Sequence, residues 1–168
     1  DFKSSVYGGN LRFNYDIDEV MFLRGVGGLN FATIDCDNVV KENGVVSNPD
    51  AFGLYGGIDF GAKFNFESGL FLSPFIGVGT TQESVVDVKE KDSFIRAGGD
   101  VGYKYFMDGV TYSYILRAGL HTHGYFDASV GINAYTVSDK IGGGVLLGLV
   151  DTDFGLSGKV SANIKFVF

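Results

Sequence analysis

His121 and His123 stand two residues apart, with Asp127 four positions further on, and this trio is the nearest the chain comes to a reactive constellation. Strand side chains alternate sides, so both imidazoles would share one face of an extended segment. With Asp127 brought back across a hairpin they could hold a metal ion or exchange a proton. Zinc sites take at least three protein ligands, and no third ligand is identifiable, which leaves polar residues at a rim as the plainer reading. Gly142-Gly143-Gly144 is followed by neither a lysine nor a helix, and no Gly-x-Ser-x-Gly elbow occurs. Neither catalysis nor a cofactor is expected.

A second set of polar residues is larger. Arg12, Arg24, Asp59, Lys63, Arg96, Asp100, Lys104, Arg117 and Lys165 each interrupt one face of a segment whose other face is apolar. Charges of both signs on one face could pair across the lumen of a barrel, filling it with structure instead of leaving a pore. Were the apolar face the core of a soluble sandwich, the same charges would simply meet water.

The segments that must position these residues read as strands with period two. Val6 to Tyr15 and Met21 to Phe31 alternate, as do Phe52 to Phe66 and Leu70 to Val78. Phe94 to Met107, Val110 to His123, Phe126 to Tyr135, Val145 to Leu149 and Lys159 to Phe168 continue the pattern. That makes about nine strands. Asp16 to Glu19, Glu67-Ser68-Gly69, Asp108-Gly109 and Ser138-Asp139-Lys140 mark tight turns. Asp35 to Asp50 and Gln82 to Asp92 are rich in charge and turn formers and read as two long loops at the opposite end.

Composition narrows the function classes. The 168 residues carry a formal net charge of −7, with no basic run, so a nucleic-acid partner is not expected. Glycine is 26 of 168, about twice ordinary usage, while there are 2 prolines and no tryptophan. Cys36, the single cysteine, cannot form an internal disulfide. No run approaches the roughly 20 apolar residues of a membrane helix. Asp1-Phe2-Lys3 does not open a signal peptide, so secretion would require a removed leader or upstream sequence.

The longest of these strands, at roughly 12 to 15 residues, exceed the five or six usual in globular sheets. Tyr15, Phe64, Phe66, Tyr103, Tyr105, Tyr112 and Tyr114 collect near the tight turns, where an interfacial aromatic girdle belongs. Lipid cannot satisfy open backbone groups, so strands cross it only as a closed barrel. The expected class is all-β: an antiparallel, up-and-down transmembrane barrel with 8 to 10 strands in this chain, a single domain over residues 1–168.

The carboxy-terminal half, with Leu70-Phe71-Leu72-Ser73-Pro74, Ile95 to Tyr103, Ala128 to Asn133 and Ala162 to Phe168, resembles the translocator β-domain of classical autotransporters. That resemblance covers Phe52 to Phe168. It implies a twelve-stranded bacterial outer-membrane barrel, incomplete at the amino terminus here, that anchors or helps export a passenger domain. It also implies insertion by the barrel-assembly machinery, recognising a terminal strand matched by Gly158, Val160, Ala162, Ile164, Phe166 and Phe168. An alternating strand can add to an open sheet edge by β-augmentation. About nine strands fall short of twelve, and bacterial barrels are normally even-stranded. The alternative is a complete small barrel of eight or ten strands that works as an adhesin or anchor through its loops.

Overall fold

The computed structural model describes residues 2–36, 50–85, 88–122, 126–136, 141–152 and 155–167. These residues are almost entirely strand. In chain order they form β1 (Phe2–Asp16), β2 (Met21–Cys36), β3 (Asp50–Ala62), β4 (Phe64–Asn65) and β5 (Leu70–Val85). They continue with β6 (Val88–Met107), β7 (Val110–His121), β8 (Phe126–Thr136), β9 (Ile141–Thr152) and β10 (Gly155–Val167). Sequential strands pair antiparallel, and the two-residue β4 prolongs β3 alongside β5 past a break at Lys63.

The sheet curls strongly, until β3 pairs with β2 on one side and β5 on the other. At the opposite join β1 runs parallel to β10 over nine positions, from Val6↔Lys159 to Asn14↔Val167. An up-and-down order with an odd number of long strands forces one parallel pair, and this is it. Each of the nine long strands among the described residues therefore has two hydrogen-bonded neighbours. The even count expected of bacterial barrels is not met among the described residues.

Alternation decides which side chain goes where. Phe22, Arg24 and Val26 on β2 are buried inside the curl, while Leu23 and Leu29 on the same strand are exposed outside it. β7 repeats this with Ser113, Ile115 and Arg117 inside and Tyr114, Leu116 and Leu120 outside. In β5 both faces are apolar in sequence, and the structure turns Phe71 inward and Leu70, Leu72, Ile76 and Val78 outward. The interior thus holds the charges beside a few rings and aliphatic groups, and most of the large apolar side chains face outward.

Within the span Gln82 to Asp92, read from sequence as a loop, the described residues are strand. β5 and β6 stay paired through Gln82↔Lys91, Glu83↔Glu90, Ser84↔Lys89 and Val85↔Val88. Apolar alternation stops at Thr80 because neither face is buried beyond it, yet backbone pairing needs no apolar side chains and continues. Most of the span Asp35 to Asp50, between the ends of β2 and β3, lies outside the described residues.

The tight turns follow their local chemistry. Asp108 and Gly109 both adopt positive φ, 50° and 80°, which a two-residue hairpin of the primed type requires. Gly69, at φ 88°, reverses the chain between β4 and β5, and its N–H donates to the Phe66 carbonyl at 2.9 Å. In the first turn the Asp18 carboxylate accepts from the Val20 and Met21 N–H groups at 2.7 and 2.6 Å.

Candidate functional site

The inward faces of β2, β3, β6 and β7 carry one connected chain of charge. Arg96 donates from Nε to Asp59 Oδ1 at 2.7 Å, with Nη2 at the same distance. The other Asp59 oxygen lies 3.7 Å from Arg24 Nε. Arg24 Nη1 then reaches Asp100 Oδ2 at 3.4 Å, and Arg117 grips Asp100 in a two-pronged pair at 2.6 and 2.7 Å. Asp59 is 1% exposed and Arg24 5%, so these pairs are shielded from water and from salt.

Placing such charges inside costs several kcal/mol per ion unless geometry and hydrogen bonds compensate. Here both carboxylates bridge two arginines. The planar guanidinium of Arg24 also lies between two rings, 4.9 Å from the centroids of both Phe22 and Phe75. Phe22 can reach that position because it lies against Gly61. A Cβ added there would come within 2.6 Å of the Pro74 carbonyl oxygen, so the position admits no side chain without movement.

Of the remaining charges, Lys63 and Lys104 lie toward the tight-turn end and Arg12 lies between the two ends. Lys63 pairs with Asp16 at 2.6 Å at the tight-turn end, and Lys104 donates to Asn65 Oδ1 at 3.0 Å while lying 5.1 Å from the Phe71 ring centroid. Arg12 faces the interior from β1, and its enclosed Nε makes no hydrogen bond. Lys165 is the register partner of Arg12 across the β1–β10 join. At the opposite end His121 Nε2 sits 3.1 Å from Asp127 Oδ1 and packs against Phe94 at 5.1 Å between centroids. His123 lies outside the described residues, and no group of three metal-ligating side chains occurs among those described.

A cavity of about 290 Å³ occupies the tight-turn half of the interior. Its walls include Arg12, Arg24, Lys63, Lys104 and Arg117, with Asp16 and Asp100. Arg12 and Arg117 also line a second, much smaller cavity of about 30 Å³ toward the other end, together with Asp127. The two arginines thus form a partition. Several buried neutral groups share the interior, among them Asn10, Ser113 and Asn133. Sequence reading did not single these out, although they have the same parity as the charges beside them.

On the outside, Tyr15, Phe64, Phe66, Tyr103 and Tyr114 are exposed near the tight turns. Tyr105 stacks on Tyr112 at 5.2 Å and on Tyr114 at 5.8 Å. Gly158, Val160, Ala162 and Ile164 of the last strand are exposed on one face. The Phe166 side chain and all of Phe168 lie outside what is described. No helix among the described residues is long and apolar enough to cross a membrane, which has no bearing on crossing by strands. No protein-family model, curated protein or solved structure matches the chain.

Proposed function

We propose that the chain is a membrane-spanning barrel of the bacterial outer-membrane type, acting as a non-enzymatic anchor. One observation carries the reading: the large aliphatic side chains face outward and exposed, Ile58, Ile76, Val78 and Leu116 each at 55% or more, while the charges are buried inside. Water would favour the reverse arrangement; hydrocarbon favours this one. The outward run from Leu70 to Val78 covers about 27 Å of strand at about 3.4 Å per residue. At the usual tilt of about 35–45° this approaches the roughly 25 Å apolar band of such barrels.

A lysine scan tests the proposal. Ile58→Lys, in the middle of the outward face of β3, should destabilise the barrel in lipid by about 2–4 kcal/mol, and Phe66→Lys near the tight turns by about 0–1 kcal/mol. Equal costs at the two depths, or a chain that stays monomeric and soluble without detergent, would sink it.

A second reading makes the barrel the translocator of an autotransporter, inserted by the assembly machinery. It is favoured by the last strand, whose residues from Gly158 to Ile164 present every second side chain outward. The arginine–aspartate chain crosses the interior, so on this reading a passenger would move beside the barrel or before the chain assembles. Exchanging the residues between β2 and β3 should abolish partner binding by an adhesin or anchor and leave a translocator unaffected.

A further inference from the structure

We propose that the tight-turn half of the interior is a binding site for a small oxyanion, of the phosphate or carboxylate class. The cavity of about 290 Å³ there is lined by five cationic side chains, Arg12, Arg24, Lys63, Lys104 and Arg117, against two carboxylates, Asp16 and Asp100. The charges behind the wall do not remove the excess. Asp59, which contacts Arg24, is matched by Arg96. Counting Asp127 from beyond the Arg12–Arg117 partition still leaves cations in the majority.

Excess positive charge in a shielded interior is costly without an acceptor, and a buried donor without a partner adds to that cost. Arg12 supplies the second observation. Its Nε is enclosed and makes no hydrogen bond, although a guanidinium offers five donors in a fixed fork suited to oxyanions. Lys104 and Lys63 stand toward the tight-turn end, where an anion approaching from that side would meet them first. An oxyanion seated between Arg12 and Lys104 supplies both the missing acceptor and the missing negative charge.

The full chain, refolded in zwitterionic detergent, is titrated with inorganic phosphate and separately with succinate at constant ionic strength, binding being followed by calorimetry. Saturable one-to-one binding of either probe is expected. Lys104→Gln and Arg12→Gln should each weaken it at least about ten-fold. Lys89→Gln, which removes the same charge from the exposed β5–β6 hairpin, should leave it unchanged. Lys104 is at the cavity mouth, so its variant keeps the test available if Arg12→Gln fails to fold. Absence of saturable binding, or equal weakening by Lys89→Gln, overturns the site. The cavity is internal, so the test is independent of whether lipid surrounds the barrel.

Discussion

Asp59 is the residue on which the interior turns, because it accepts from Arg96 and faces Arg24 at once while only 1% exposed. Removing its charge takes the carboxylate from Arg96 and leaves Arg24 to share Asp100 with Arg117. Asp59→Asn keeps the volume and should cost about 3–5 kcal/mol, the penalty for breaking a buried ion pair from one side. Urea unfolding of the refolded chain measures this; a loss below about 1 kcal/mol would mean that the arginines find other partners. The inward placement of Asp59 followed from parity alone, since Ile58 and Phe60 flank it. Its partners did not, because the pairing of Arg96 and Arg24 with Asp59 depends on how strands far apart in sequence are staggered. The same limit applies to Arg12, which reads as one more inward charge until the cavity around it is seen.

At the scale of elements, strands with one apolar face were legible and strands without one were not. β2 and β7 could be phased residue by residue, whereas the outer parts of β5 and β6 looked like a loop because both of their faces are polar. Turns were legible where the side chain itself builds the turn. In the first hairpin the Met21 and Val20 N–H groups hold the Asp18 carboxyl below its ordinary value of 3.8. A depressed carboxylate stabilises the fold above the unfolded-state value, and that contribution fades as pH falls from about 3.8 through the lower folded value. The hairpin should therefore loosen in acid. Hydrogen exchange at the Val20 and Met21 amides, compared between pH 5 and pH 3, should show protection falling in the native chain. Asp18→Asn should flatten that dependence. A native chain as protected at pH 3 as at pH 5 would refute the role given to Asp18.

For the whole molecule the decisive feature is the join between β1 and β10. Alternation in each strand predicts a curled sheet with an apolar exterior, but it says nothing about how the two ends meet. An odd strand number allows closure only if the first and last strands run parallel, a pairing slightly less stable per residue than the antiparallel one. The register Gly9↔Ala162 gives that closure a direct test. A Cβ added at Gly9 would have open space around it, and Ala162 is exposed on the same outer surface. With Cys36 replaced by serine, Gly9→Cys and Ala162→Cys should form a disulfide within one chain on mild oxidation. Paired strands bring Cα atoms within the roughly 4.4–6.8 Å that the bond spans. The crosslinked barrel should unfold at higher urea, because the bridge ties nearly the whole chain into one loop and removes about 4–5 kcal/mol of unfolded-state entropy. Displacing the pair by one position, to Gly9→Cys with Asn163→Cys, moves the second thiol one step along β10, onto the opposite face by strand alternation, and should abolish the bond. Crosslinking between chains instead of within one would mean that β10 pairs with another molecule's edge, and that the ring of nine strands does not close on itself.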